Sequence, residues 1–313
     1  MKIKHISVLM VAALAGCGNS QNPNLRKTDL TILAPTGAPA VAMYNFANGL
    51  TTVTSPQDEL MPKFNTGEYD IIVAPAKGGL TKITKQGVDY QIAAVVTFGN
   101  FGLVKVNPND EELSEGDKVL YFQPTDIPGS VFNYLYGDLG LTTYSVANAN
   151  ETVLSLNTGT YKKSESETVN LDYVFSAEPM ITNTGKASQV TRWAADDFED
   201  KAEGKRIIQA AVFINKNLSK SKADKFLDLL ESDITKGVSN PKAFVNTMKL
   251  VGDDNEQQHK FGFKSTTVYN CMKTHNGLGL GFARASECKQ EIEYFVNTIL
   301  NSGLTITDEA YYQ

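Results

Sequence analysis

The stretch LTILAPTGAPAVAMYNFANGL, residues 30–50, indicates the class of fold to which the chain belongs. Its first six residues form a short apolar run that ends at Pro35, which is typical of a buried strand. Gly37 and Pro39 then predict a turn, and the apolar residues that follow recur at helical spacing. A strand, a turn of small residues and a helix in this order predict the start of a β-α-β unit.

The same alternation continues toward the C-terminus. KGGLTKITKQG is predicted to be a helix that Gly87 closes, and ETVLSLNTGTYKK (151–163) is predicted to be another helix. A polar loop at 107–117 separates two series of elements, and the chain after residue 216 is predicted to be mostly helical. The fold class is therefore predicted as α/β, with mainly parallel sheets flanked by helices. The predicted strands are TTVTS (51–55), YDIIVAPA (69–76), YQIAAVVTFG (90–99), FGLVKV (101–106), KVLYF (118–122), TTYSVAN (142–148), NLDYVFSAEP (170–179) and RIIQAAVFIN (206–215).

The composition argues against several classes of function. The chain has 313 residues, a net charge of −6 and no run of Lys or Arg, so nucleic acid is not expected as a partner. It has only three histidines, and one of them is His5, so a metal site is not expected. TGAP (36–39) lacks the ending of a phosphate loop, and GNFG (99–102) is too weak a match to a dinucleotide fingerprint. No cofactor is therefore expected.

The N-terminus has the order of features found in a secretory signal. A basic lead precedes an apolar run at 6–14, which is shorter than the ~20 residues that a membrane span needs. The run ends in LAGC, residues 14–17, which resembles the lipobox of bacterial lipoproteins; a buried helix with an incidental cysteine is the alternative. The resemblance implies a signal peptide at 1–16, a lipid on Cys17 and a polar tether at 17–28. The mature protein is then expected to lie outside the cytoplasm, attached to the membrane through its lipid only.

The two remaining cysteines, Cys271 and Cys288, have two interpretations. In an oxidising compartment they either form a disulfide or remain as two buried free thiols. Spacing along the chain does not place two sulfur atoms within bonding distance, so both interpretations stay open at this point.

Five loops that follow predicted strands share an unusual composition of small residues. In an open parallel sheet, ligands bind beyond the carboxyl ends of the strands, where these loops lie. Small residues let a ligand approach the backbone, and loops that open into helices present free N–H groups to oxygen-rich or anionic groups. Ordinary turn chemistry is the alternative for each loop taken alone. The loops are APTGAP (34–39), APAKGG (74–79), TFGNFG (97–102), FQPTDIPGS (122–130) and SAEP (176–179).

The order of these motifs resembles the extracytoplasmic solute-binding proteins of ABC importers. The motifs are LAPTGAPA, YDIIVAPA, TFGNFGLVKV, VFSAEP and AAVFINKNL, and the most similar group is the nitrate, sulfonate, taurine and thiamine-precursor binding proteins. The resemblance implies a type II periplasmic-binding-protein fold with two lobes joined by two hinge strands. It divides the chain into lobe 1 at 29–101, lobe 2 at 102–205, and a return to lobe 1 at 206–313.

The resemblance also implies which residues face a ligand in the cleft between the lobes. Glu178 is a candidate acceptor, with a solvated loop carboxylate as the alternative, and Lys77 is a candidate for an anion, with a solvated lysine as the alternative. Trp193 either lines the site or packs in the core. The candidate ligand-facing residues are Thr36, Gly37, Ala38, Ala76, Lys77, Gly78, Thr97, Phe98, Asn100, Asp126, Pro128, Gly129, Ser130 and Glu178.

The side chains near the loops favour one kind of ligand. None of the five loops contains Arg, whereas an oxyanion binder often places one in its cleft. A flat, vitamin-like heterocycle is therefore favoured over nitrate or sulfonate, although helix N–H groups alone can hold an anion. Aromatic residues lie near strand ends or first helix turns instead: Tyr44, Phe98, Phe101, Tyr121 and Phe132.

The expected function is that of a monomeric, lipid-anchored binding subunit that captures a small solute and delivers it to a membrane permease. An enzyme on the same two-lobed fold, acting on a small aromatic or pyrimidine substrate, is the first alternative. No nucleophile elbow, metal spacing or His–carboxylate pair near the loops supports it. An extracellular sensor without a transport role is the second alternative, and the sequence does not distinguish it from the first hypothesis.

Overall fold

The computed structural model describes residues 24–107 and 112–313. The predicted signal peptide and Cys17 lie outside the described residues. The strands are β1 Ile32–Pro35, β2 Leu50–Val53, β3 Ile71–Pro75, β4 Tyr90–Thr97, β5 Phe101–Lys105, β6 Lys118–Phe122, β7 Thr142–Val146, β8 Thr160–Lys162, β9 Thr168–Asn170, β10 Tyr173–Ala177, β11 Val190–Trp193, β12 Ala210–Asn215 and β13 Leu280–Arg284. The helices are α1 Ala38–Ala42, α2 Lys63–Thr66, α3 Ala76–Gln86, α4 Ile127–Tyr136, α5 Thr152–Thr158, α6 Met180–Asn183, α7 Ala194–Lys201, α8 Lys220–Ser239, α9 Pro241–Met248, α10 Asp254–Phe261, α11 Ser265–Cys271 and α12 Lys289–Tyr294, with π-helical turns at Pro56–Leu60 and Phe295–Ile299.

The strands within the described ranges form two main sheets, and each sheet with its helices is one lobe of an α/β fold. The sheet of the first lobe has the order β13-β4-β12-β3-β1-β2, and the sheet of the second has the order β11-β5-β10-β6-β7. The chain passes directly from β4 to β5 through residues 98–100 and returns from α7 to β12 through residues 202–209. We call these two segments the first and second crossings. The two-lobed architecture predicted from the sequence is confirmed.

Both sheets are mixed rather than mainly parallel, which corrects one part of the prediction. In the first sheet β1 is parallel to β2 and β3, but β12 is antiparallel to β3 and β4. In the second sheet β6 is parallel to β7 and β10, but β5 is antiparallel to β10. The reason is that β5 and β12 enter their sheets straight from a crossing, with no helix to reverse the chain direction.

The core of the first lobe lies on both faces of its sheet. Ile71 and Val73 belong to one hydrophobic cluster, and Ile72 and Ala74 belong to another, as the two-residue period of a strand requires. The second of these clusters continues into the other lobe, where it includes Phe175. The lobes are therefore in apolar contact.

Most predicted helices are present. Gly87 ends α3 in the left-handed conformation, with φ of +65°. Helix α8 lies in the part of the chain predicted to be helical, and it buries one apolar face, which consists of Ala223, Phe226, Leu227, Leu230 and Ile234.

Three predictions of local structure were wrong or incomplete. The helix predicted over 151–163 stops at Thr158, because Gly159 adopts the left-handed conformation and β8 begins a hairpin with β9. Strand β11 and strand β13 were not predicted, and β13 lies where helices were expected. Both are edge strands with little burial, so their sequences lack a continuous apolar run.

The two cysteines are free and buried, which corrects the disulfide interpretation. Cys271 ends α11 inside one hydrophobic cluster, and Cys288 precedes α12 inside another. The thiol of Cys288 donates to the carbonyl oxygen of Arg284 at 3.3 Å. Among the described residues, no helix has both the length and the apolar character that crossing a membrane requires.

Candidate functional site between the two lobes

The carboxyl ends of three strands in the first lobe lie at one edge of its sheet. Strand β1 is parallel to β3, and both β3 and β4 are antiparallel to β12, so all three end at the edge where β12 begins. The backbone N–H of Ala76 donates to the carbonyl oxygen of Gln209 at 3.2 Å, and the N–H of Gln209 donates to that of Thr97 at 3.1 Å. Thr97 Oγ1 accepts from the N–H of Ala210 at 3.0 Å. The structure thus brings Ala76 and Thr97 together around the second crossing.

The corresponding edge of the second lobe faces these strand ends of the first lobe. Strands β6, β7 and β10 end on the side where β5 begins, because β10 pairs antiparallel with β5 and places Ala177 opposite Phe101. Asn100, at the end of the first crossing, exchanges two hydrogen bonds of 2.8 Å with Glu178. The two edges therefore meet at the first crossing, and Asn100 and Glu178, both predicted site residues, lie in contact.

The carboxylate of Glu178 is buried and accepts hydrogen bonds from both lobes. Thr182 donates its N–H at 3.0 Å and its hydroxyl at 2.7 Å, both from α6. From the first lobe, the Thr274 hydroxyl and the Cys271 thiol donate at 3.4 and 3.7 Å. Burial raises the pKa of the Glu178 carboxyl, and these donors partly oppose that rise. The solvated carboxylate considered as an alternative is not what the structure shows, because the side chain is 2% exposed.

Gln209 was not among the predicted residues, yet it presents an unpaired acceptor beside Asn100. Nδ2 of Asn100 donates to the carbonyl oxygen of Glu178, so its Oδ1 must face the other way, toward Nε2 of Gln209 at 3.5 Å. This contact orients the Gln209 amide and leaves its Oε1 buried without a partner among the described residues. The one sequence signal was a polar residue that interrupts the apolar run IIQAAVFI.

The first loop is held by the segment that follows α10. Gly37 has φ of +108°, a conformation that favours glycine, and its N–H donates to the carbonyl oxygen of Phe261 at 2.8 Å. A Cβ on Gly262 would lie 3.0 Å from Thr36, so the two loops touch closely. Ala38 is buried at the start of α1. Phe263, whose ring lies beside Gly37, is a neighbour that the sequence did not reveal.

The second loop directs its lysine to the protein itself. Nζ of Lys77 donates to the carbonyl oxygen of Leu300 at 3.1 Å. Gly78 lies against Met61, because a Cβ at this position would be 3.1 Å from the methionine sulfur. The ammonium group of Lys77 therefore contacts the backbone of the protein. This differs from both environments considered for it, an anion and bulk water.

The loop after β6 is tightly folded at the start of α4. Asp126 is exposed, and its carbonyl oxygen accepts from the N–H of Ser130 at 2.9 Å. Pro128 and Gly129 are buried, and a Cβ on Gly129 would lie 2.5 Å from Pro124. A side chain at Gly129 would therefore displace the backbone of this loop.

Phe98 lies in the first crossing, where a cation covers its ring. The guanidinium of Arg206 is 4.5 Å from the ring centre and forms two hydrogen bonds of 2.8 Å with the Glu291 carboxylate. Phe98 also borders a cavity of about 430 Å³ and is the one predicted site residue in its lining. Trp193 packs beside Gly102 in the second lobe, which matches its predicted core role. Within the described ranges, no cluster of His, Cys, Asp and Glu has the arrangement of a metal site.

Comparisons with known proteins agree with this architecture. No protein-family model matches the chain, and the comparison with curated proteins found no match. An ABC transporter structure from Parabacteroides distasonis is similar over 91% of this chain and 98% of its own length, with a TM-score of 0.67 and 16% identity. The chain therefore shares the fold of that structure.

Two further solved structures are similar at lower scores. The periplasmic aliphatic sulphonate binding protein SsuA from Escherichia coli covers 88% of this chain and 92% of its own, at 10% identity and a TM-score of 0.49. A Candida albicans protein described as having the generic periplasmic binding protein fold covers 90% and 92%, at 13% identity and a TM-score of 0.47.

Proposed function

We propose that the protein is the solute-binding subunit of an ABC importer, held outside the cytoplasm by a lipid on Cys17. The observation that carries the proposal is that the strand ends of both lobes meet at the two crossings. This is where open α/β sheets bind ligands. The fold shared with an ABC transporter structure supports the same conclusion. In this proposal residues 29–101 and 206–313 form one lobe, and residues 102–205 form the other.

The proposed ligand is a small heterocycle that carries an N–H or O–H donor. Oε1 of Gln209 is a buried acceptor without a partner, and an unmade hydrogen bond of this kind costs about 1–3 kcal/mol. A ligand donor that meets this oxygen recovers that cost, whereas nitrate or a sulfonate has no donor to offer. The absence of Arg from the five loops also favours a heterocycle over an oxyanion. The fourteen predicted residues, together with Gln209 and Phe263, are proposed to line or support the site.

The proposed role involves no catalytic step. The protein captures its solute as a monomer by enclosure between the lobes and presents it to a permease in the membrane. The buried carboxylate of Glu178 is occupied by donors of the chain itself, so we assign it a structural role at the contact between the lobes.

The proposal is tested by thermal unfolding of protein that has first been unfolded and refolded to remove carried ligand. A bound solute stabilises the folded state by ~2.7 kcal/mol at a hundredfold excess over its Kd, so the melting temperature rises. We expect a rise with pyrimidine and thiazole vitamin precursors and none with nitrate or ethanesulfonate, neither of which carries a hydrogen-bond donor. The substitution Gln209→Leu is expected to abolish the rise, and Gln258→Leu, at an exposed position of α10, is expected to preserve it. A rise with oxyanions alone would overturn the ligand class, and no rise with any solute in the panel would contradict the binding role.

A further inference from the structure

The cavity beside Phe98 is formed by both lobes and by both crossings. Helix α7 contributes one wall from the second lobe, and the segment 272–282, which runs from the end of α11 into β13, contributes another wall from the first lobe. Phe98 comes from the first crossing, and Arg206 and Ile207 come from the second. We call this space the crossing cavity. Its volume of about 430 Å³ is within the range of small-molecule sites.

The crossing cavity is distinct from the site proposed above. It lies toward β13, at one end of the first sheet, whereas the loops after β1 and β3 lie toward the other end. Of the predicted ligand-facing residues, only Phe98 borders it. The two regions meet at Phe98 and at Thr274, which lines the cavity and donates to Glu178.

Part of the surface of the cavity is apolar. Ile207 and Leu278 are buried beneath it, and Met272, Leu280 and Phe282 are only partly covered by the rest of the protein. Partly exposed apolar side chains gathered in a concave surface gain free energy when an apolar body covers them. The body of a suitable ligand is thus an aromatic ring or a short hydrocarbon.

The charges at the rim favour a cation. Asp196 and Glu199 stand three residues apart on α7, so they share one face of the helix. The one arginine in the lining, Arg206, is already neutralised by Glu291, and Nε2 of His275 lies 2.9 Å from the Asp196 carboxylate. The carboxylate of Glu199 has no hydrogen bond or ion pair among the described residues. An ammonium group is the chemistry that fits this carboxylate.

We propose that the crossing cavity is a second small-molecule site, which binds an amine attached to an aromatic or aliphatic body. The ring or chain covers Met272, Leu280 and Phe282, and the ammonium group pairs with Glu199. Because the walls belong to different lobes, the affinity of the site depends on the angle between them, and an occupant shifts the equilibrium between open and closed forms.

The test uses two probes of similar shape and opposite charge, 2-phenylethylamine and phenylacetate, with the full chain. Trp193 immediately precedes α7 and is the single tryptophan, so its emission follows each titration. We expect saturable binding of the amine and not of the acid. We expect Glu199→Gln to weaken amine binding about threefold to fivefold, which is the range for a partly exposed ion pair. Asp200→Asn removes a charge from the same helix outside the cavity and is expected to leave binding unchanged.

Ala195→Phe fills the cavity from α7 and is expected to abolish amine binding. Because Glu199 is exposed, we expect Glu199→Gln to fold normally. It therefore still tests the proposal if Ala195→Phe fails to fold. Equal binding of both probes would overturn the proposal, as would no amine binding, or amine binding that is unaffected by Glu199→Gln. A solute effect lost through Gln209→Leu while amine binding persists would confirm that the two sites are separate.

Discussion

Asn100 and Glu178, 78 residues apart in the chain, are joined by two hydrogen bonds that run in opposite directions. The N–H of Glu178 donates to the carbonyl oxygen of Asn100, and Nδ2 of Asn100 donates to the carbonyl oxygen of Glu178. Both residues are buried, so no solvent replaces either bond. This pair holds the point where the first crossing enters β5 against the end of β10.

Replacing Asn100 is expected to destabilise the fold. Asn100→Leu leaves the buried carbonyl oxygen of Glu178 without its side-chain donor, at a cost of about 1–3 kcal/mol. Denaturant unfolding measures this change. Asn246→Leu on the exposed face of α9 is the control, with an expected change within about 0.5 kcal/mol. Equal losses in the two variants would show that the contact with Glu178 contributes nothing.

The stability of the protein is expected to depend on pH through Glu178. Burial raises the pKa of this carboxyl above its ordinary value of 4.5, so the folded state binds a proton that the unfolded state has released. The stabilisation of the folded state by this proton is complete at pH values below the ordinary pKa of the unfolded chain. It is lost as the pH rises through the raised pKa of the folded state. The groups known to face the carboxylate are the Thr182 and Thr274 hydroxyls and the Cys271 thiol.

Glu178→Gln removes this component, because an amide does not ionise in that range. Unfolding free energies measured from acid to neutral pH are expected to fall less steeply for the variant than for the native chain. Glu165→Gln, at an exposed position of the β8–β9 loop, is expected to leave the slope unchanged. Parallel slopes for the native chain and Glu178→Gln would exclude the proposed proton uptake.

The two buried thiols are expected to react slowly in the folded protein. Burial raises the pKa of Cys271 far above its ordinary value and that of Cys288 to about 11, so little reactive thiolate forms at neutral pH. In a chain carrying Cys17→Ala, titration with a thiol reagent should detect two groups after unfolding without reductant. Finding none would restore the disulfide interpretation.

The proposed anchor depends on Cys17. Cys17→Ala is expected to leave the precursor uncut, to prevent incorporation of labelled palmitate and to release the protein from the membrane fraction. Cys288→Ala leaves the predicted lipidation site intact, so its labelling should equal that of the native chain. Palmitate labelling that survives Cys17→Ala would show that the lipid is attached to another residue, and it would contradict the proposed anchor at Cys17.

The sequence predicted the parts of the fold whose signals are local. YDIIVAPA is apolar on both faces because a hydrophobic cluster covers each face of the sheet at β3, and such a run can be recognised without a structure. The end of α3 at Gly87 could be predicted as well, because glycine is the residue that most readily adopts the left-handed conformation that ends a helix. Strand β13, LGFAR, carries no such signal, because it is partly exposed along its whole length.

The hydrogen bonds around Glu178 could not be predicted from the sequence, for a different reason. Its partners Cys271 and Thr274 lie 93 and 96 residues further along the chain, at the end of helix α11 and just after it, in the other lobe. Gln209 Oε1 is unpaired only because Asn100 is committed to Glu178, which is a property of three segments together. Periodicity reports the face on which a residue lies, but not which distant residue meets it.

The central position of β12 has a consequence for how the protein is made. Strand β12 lies between β3 and β4, yet it follows them by more than a hundred residues of chain. During synthesis or export from the N-terminus, β3 and β4 emerge long before the strand that joins them, and each presents an open backbone edge meanwhile. A nascent chain interrupted before residue 210 therefore exposes two open strand edges to aggregation and to proteases, so assembly of the first lobe must wait for the second.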